Sequence, residues 1–126
     1  MSYKELKIWQ KGMEIVDDVY QLTASFPKEE VYGLTAQMRR CGVSIPSNIA
    51  EGSQRTSAKE FSNFILIAKG SLAELETQIL ISIRQKFAKE DRAKEILLKA
   101  DELHRMLYSF YHSLLTQVSS PKSQVL

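Results

Sequence analysis

The sequence predicts an all-α fold, an up-down-up-down antiparallel four-helix bundle. Three observations lead there. Glycine and proline are scarce, five and three in 126 residues. Apolar residues recur at steps of three and four, the period of a helix buried on one face, and no strand-like alternation persists. Segments of about 20 to 30 residues with this pattern, joined by short links, pack as an up-down bundle.

The first helix is expected over residues 4–25, with Leu6, Trp9, Met13, Val16, Tyr20 and Thr23 as its apolar stripe. Phe26-Pro27 stops it, because the residue before proline is pushed out of the helical region. The second is expected over 29–52, with Leu34, Met38, Cys41, Ile45, Ile49 and Gly52 in step. Pro46 lies inside it and costs ~3 kcal/mol there. The apolar phase is nevertheless the same on both sides, which favours one kinked helix over a break. Gly52 is suited to a left-handed cap. Ser57-Ala-Lys-Glu60 then has capping-box spacing and opens a third helix, 58–88, along Phe61, Ile65, Ala68, Leu72, Leu75, Ile79, Ile83 and Phe87. A fourth, 91–118, carries Ile96, Ala100, Leu103, Leu107, Phe110, Leu114 and Val118. No glycine or proline separates these two. An unbroken helix from 58 to 118 would span ~90 Å, so compactness demands a turn near Ala88–Asp91, with Asp91 as its cap. Residues 1–118 form one domain, and the polar stretch 119–126 is expected to be a flexible tail.

Composition narrows the function classes. Hydrophobic residues make up 44% and charged residues 25%, a globular rather than a disordered balance. The net charge of +2 does not by itself announce a nucleic-acid binder. The single cysteine, Cys41, excludes an intrachain disulfide and a cysteine zinc cage, and fits a reducing compartment. The longest apolar run, Phe64 to Ala68, is far short of the ~20 residues of a membrane span. The opening Met1-Ser-Tyr-Lys-Glu lacks the apolar core of a signal peptide. A cytoplasmic protein without a membrane partner is expected.

The third helix carries more apolar surface than a monomer needs. Ile67 and Ile81 point nearly opposite Ile65, Leu72 and Ile79, and Phe64 and Leu75 widen the arc. A helix apolar on more than one face is buried on more than one face, which points to self-association.

The stretch from Phe26 to Glu76, with Ser44-Ile-Pro-Ser-Asn-Ile-Ala-Glu-Gly52 and Gly70-Ser-Leu-Ala-Glu-Leu-Glu76 as its most specific strings, and the opening Leu6-Lys-Ile-Trp-Gln-Lys-Gly12, resemble the 23S ribosomal RNA intervening-sequence protein family, also called the four-helix-bundle protein family. The resemblance covers about residues 4–87 in motif detail. It implies a four-helix bundle that assembles into a ring-shaped homopentamer, in a family most of whose members have no assigned activity. A distant relative, the accessory protein of diversity-generating retroelements, binds reverse transcriptase and nucleic acid. The chain departs from the family at Cys41, where alanine is usual, and at Lys69, where leucine is usual.

The constellations that could carry chemistry are few. His104 and His112 are ~12 Å apart along one helix, too far to share a metal ion. Asp101-x-x-His104 is half of a carboxylate di-metal motif with no second copy. Ser109, His112 and Asp101 share no tight face, and no nucleophile elbow or phosphate-cradling glycine loop appears. No enzyme, cofactor or metal site is expected. From Gln37 to Lys69 five basic residues oppose two acidic ones. Arg39, Arg40, Arg55, Lys59 and Lys69 are therefore candidate contacts to RNA phosphates, and repetition around a ring would add their effects. Helix-end and subunit contacts are the competing role for this polar set. Ser44, Asn48, Glu51, Phe64, Ile67 and Ile81 are the candidate oligomer interface. The resulting expectation is a non-enzymatic homo-oligomer that contacts RNA or a nucleic-acid-binding protein. The alternative is a protein-binding oligomeric scaffold without nucleic-acid affinity.

Overall fold

The computed structural model describes residues 2–118; the expected tail, 119–126, lies outside the described residues. Four helices, α1 (Lys7–Thr23), α2 (Leu34–Ser53), α3 (Ala58–Arg84) and α4 (Glu90–Val118), account for the fold, and no strand occurs among the described residues. Each helix packs on the next in sequence, and α4 returns to α1. The pairings run antiparallel throughout. Thr23 meets Arg39 and Gly12 lies by Pro46 between α1 and α2; Ser44 meets Ser71 and Gly52 faces Phe64 between α2 and α3. Phe61 meets Phe110 and His104 meets Glu76 between α3 and α4, and Asp18 meets Lys99 between α4 and α1. This is the up-down-up-down bundle.

The cores of α2, α3 and α4 follow the expected stripes. Met38, Ile45, Ile49, Ile65, Leu72, Leu75, Ile79, Leu103 and Leu107 are completely buried, each burial stabilising by ~1.5–3 kcal/mol. α2 runs unbroken through Pro46, which is buried against Gly12 of α1. A Cβ added to Gly12 would sit 3.5 Å from Ile45 and the Pro46 ring, an ordinary contact, so the two helices do not depend on the glycine for their approach.

The α1 stripe is shifted. Its core face is Ile8, Ile15, Val19 and Leu22, with Gly12 and Thr23. Of the residues expected inside, Met13 is 39% and Tyr20 44% exposed, and Leu6, Trp9 and Val16 are half-buried. α1 is apolar over two adjacent faces. The face with β-branched Ile and Val turned inward, and the larger Trp9, Met13 and Tyr20 were left on the flank toward α2.

The helix ends also differ. α1 is preceded by a 3-10 turn, Tyr3–Glu5, capped by the Ser2 hydroxyl. α2 starts at Leu34 rather than 29, because Lys28–Glu30 form a separate 3-10 turn and the Glu30 carboxylate accepts from the Leu34 N–H at 3.1 Å. Gly52 is not a left-handed cap: no glycine among the described residues has positive φ, and Gly52 lies within the helix. Ser57 caps α3 as expected, accepting from the Glu60 N–H at 3.2 Å.

α3 ends at Arg84, before the expected 88. Lys86 takes the left-handed conformation at φ 64°, its N–H donates to Ile83 O at 3.0 Å, and the Phe87 N–H donates to Ser82 O at 2.9 Å. These paired bonds form a Schellman motif, with Lys86 where glycine is usual. Phe87, expected on the helix, lies beyond it and packs on Phe26 with ring centroids 5.9 Å apart. α4 begins at Glu90, so Asp91 sits inside its first turn rather than capping it.

Candidate functional site

The five basic residues do not make one patch. Arg39, near the start of α2, donates from Nε to the Thr23 hydroxyl at 2.9 Å, and its guanidinium lies 4.5 Å from the Tyr20 ring centroid. It clamps α2 to the end of α1. Arg40, on the next position, is exposed. Arg55 lies at the opposite end of the bundle, ~22 Å from Arg40 along the helix axis. It pairs with Glu51 at 2.9 Å and covers the Phe64 ring at 4.8 Å. Lys59 is exposed in the first turn of α3, close to Arg55 in the chain. Lys69 stands apart on the flank of α3 toward α4, with Nζ 5.2 Å from the Tyr108 ring centroid. Among the described residues, Arg40, Lys59 and Lys69 have no ion pair. The structure thus brings Arg55 and Lys59 to one end, leaves Arg40 at the other, and gives Arg39 an internal partner.

The candidate interface residues also divide. Ser44 and Ser71 exchange a hydroxyl hydrogen bond at 2.9 Å, and the Asn48 amide donates to Ser44 O and Oγ at 2.8 and 2.9 Å. Ser44 thus belongs to the α2–α3 seam within the chain, because a half-buried hydroxyl is satisfied by the nearest polar partner, while Asn48 bonds back to Ser44 within α2. Phe64 is half-buried between Gly52 and Arg55, and Glu51 is the exposed partner of Arg55.

Ile67 and Ile81 do point outward, 50% and 42% exposed, and they have company: Leu66 and Leu80 are 44% and 51% exposed on the same helix. At ~100° per residue these four spread over ~140° of the outer face of α3, which they share with the exposed Gly70, Ala73, Glu74 and Thr77. Added to Gly70, a Cβ would meet nothing within 4 Å. A second apolar surface is a groove of about 330 Å³ between α1 and α2, lined by Tyr3, Trp9, Met13, Val16, Val43 and Pro46. The sequence signal for it was present in the misphased α1 stripe.

Nothing in the described residues gathers metal ligands: no group of three His, Cys, Asp or Glu side chains converges. His104 Nε2 is bonded to Glu76 Oε1, and Asp101 pairs with Arg105 at 2.8 Å instead of joining His104. Cys41 is buried, its thiol donating to Ser71 O at 3.0 Å. Burial foremost, with the Glu74 carboxylate adding to it, pushes the thiol up to about 12. No helix of the described residues is long and apolar enough to cross a membrane.

Comparison with known proteins agrees with this architecture. A crystal structure of a protein of unknown function from the S23 ribosomal protein family of Bacteroides thetaiotaomicron VPI-5482 superposes with a TM-score of 0.74 at 23% identity, covering 82% of this chain and 97% of the other. The likeness at that identity is one of fold. No curated protein matches the chain. The family model described as 23S rRNA-intervening sequence protein matches residues 4–109, most of the chain. The paired strings around Pro46 and Gly70, the four-helix architecture and this match agree: the chain belongs to the 23S rRNA-intervening sequence protein family.

Proposed function

We propose that the protein is a non-enzymatic, self-assembling four-helix bundle of the cytoplasm that binds RNA, assembly multiplying the effect of individually weak basic contacts. The observation that carries the reading is the outer face of α3. Four large aliphatic side chains, each about half exposed, lie on that face, where a solvated helix would present charge. Completing their burial would contribute ~0.7–1.5 kcal/mol each, half the value for a whole side chain. The α1–α2 groove is a second, different apolar surface. Two unlike surfaces on one chain favour head-to-tail contact, which closes into a ring when the rotation allows, and a ring of five is what the family resemblance implies. The RNA reading is supported by the exposed Arg40, Arg55 and Lys59 and by the family's name, which refers to an intervening sequence of 23S rRNA.

Ile67→Glu and Ile81→Glu test the assembly. Each would bury an unpaired carboxylate at a subunit contact, a cost of several kcal/mol, while leaving the half-exposed site of a single chain tolerable. Light scattering should show a fall to the mass of one chain with helicity retained. An unchanged mass refutes the interface. Replacing Arg55 and Lys59 together with alanine should weaken RNA binding and flatten its salt dependence. An assembled protein with no RNA affinity at low salt would instead favour a scaffold for a protein partner.

A further inference from the structure

Lys69 is separated from the other basic residues, and its surroundings differ from theirs. It leans from α3 toward α4, over the ring of Tyr108. Tyr108 is 57% exposed, large for an aromatic side chain with no part in the core. Its ring lies 4.3 Å from that of His112, centroid to centroid, and Tyr111 meets His112 edge-on at 5.6 Å. Beside them is an open depression of about 480 Å³ lined by Lys69, His104, Arg105, Tyr108 and Ser109. It therefore combines an ammonium, a guanidinium, a hydroxyl and a half-exposed aromatic ring.

The nearby carboxylates are already engaged. Glu76 is bonded to His104, and Asp101 is paired with Arg105 at 2.8 Å. Lys69 is left without a carboxylate among the described residues, its positive charge balanced only by the ring beneath it. Such a contact at a partly exposed site is weak, and a long lysine side chain can leave it for a phosphate. The Arg105–Asp101 pair is about two-thirds exposed on both sides, so it too is weakly held and Arg105 can turn to an anion.

We propose that Lys69, Arg105 and Tyr108 form a binding site for single-stranded RNA, with a base stacked on Tyr108 and the adjoining phosphates on Lys69 and Arg105. The assignment rests on the RNA-binding reading above and narrows it to one face and one class of nucleic acid. In a duplex the base faces are stacked on each other, and the protein meets phosphates, sugars and groove edges. A ring face is useful only to a base free to unstack, and stacking tolerates any sequence because every base has a π-face.

The test is fluorescence anisotropy with a labelled twelve-nucleotide oligouridine and, separately, a labelled RNA duplex of the same length. Tyr108→Ala should weaken single-strand binding about 5- to 150-fold, the range of one stacked base. Tyr108→Phe should keep most of it. Lys69→Ala should reduce the slope of log K against log salt by ~0.7, the loss of one phosphate contact on a single strand. Circular dichroism should show the helicity of both alanine variants unchanged. If the parent binds the single strand but Tyr108→Ala and Lys69→Ala bind equally well, this site is overturned while RNA binding stands on Arg40, Arg55 and Lys59. If the duplex is preferred, the single-strand assignment is overturned. If the parent binds neither, the RNA reading itself fails and this site with it.

Discussion

Two glycines in long helices should answer the same substitution in opposite ways. At Gly52 an added Cβ would stand 2.6 Å from Phe64 Cβ, 2.9 Å from Phe61 Cδ1 and 3.2 Å from Phe64 Cγ. The first of these atoms is tied to the α3 backbone, so α2 and α3 must move apart. Overpacking of this kind costs ~1–3 kcal/mol. Alanine returns at most ~1 kcal/mol of helix propensity, less in the last turn of α2, leaving a net loss of about 1–2 kcal/mol. At Gly70 the added Cβ meets nothing within 4 Å, and the position is mid-helix, so Gly70→Ala should gain ~0.8–1 kcal/mol. For a chain of this size 1 kcal/mol moves Tm by ~3–5 °C. Both variants belong in an Ile67→Glu background at one protein concentration, so that association does not enter Tm. Thermal melts followed at 222 nm should show Gly52→Ala about 3–10 °C below its parent and Gly70→Ala about 3–5 °C above. A Gly52→Ala protein at least as stable as its parent, or a Gly70→Ala protein less stable, would refute the packing described at these two helix faces.

Lys86→Gly should stabilise the chain by about 1 kcal/mol, because a left-handed φ of 64° costs a side chain what glycine does not pay; an unchanged denaturation midpoint would contradict the Schellman end. Arg39→Ala should destabilise by ~1–2 kcal/mol through the lost Thr23 bond and Tyr20 contact, while RNA affinity measured by anisotropy stays within twofold. The Cys41 thiol is raised to about 12 in the folded chain, against ~8.5 when unfolded. Its neutral form is thus favoured by folding, so the contribution is intact below pH ~8.5 and is lost as pH rises from there toward 12; a thiol reagent at pH 8 should label Cys41 only after denaturant is added.

The bundle was legible because α2, α3 and α4 each bury one clear stripe, and Pro46 did not interrupt the phase of Met38, Cys41, Ile45 and Ile49. α1 was harder, since two neighbouring stripes are both apolar and only tertiary packing chooses between them. The α3–α4 turn carried no local signal. Its left-handed residue is a lysine, and Ser82 O is satisfied by bonds from residues that the pattern places inside the helix. Gly52 was conspicuous in sequence, but for its missing Cβ rather than for a special φ. The outward Ile67 and Ile81 could be found from periodicity alone. The basic candidates could not be sorted that way, because whether an arginine is free depends on a partner in another helix. Thr23 and Tyr20 engage Arg39, whereas Tyr108, 39 residues beyond Lys69, gives that lysine its aromatic neighbour.

The central claim is that this bundle assembles through α3 and carries RNA. Size-exclusion chromatography with light scattering, reading absorbance at 260 and 280 nm on protein purified at low salt, addresses both parts together. The account predicts a mass near five chains and an excess 260 nm signal that high salt removes. A single-chain mass at every concentration would contradict the assembly, and an assembled protein with a clean protein spectrum that takes up no added RNA would contradict the binding.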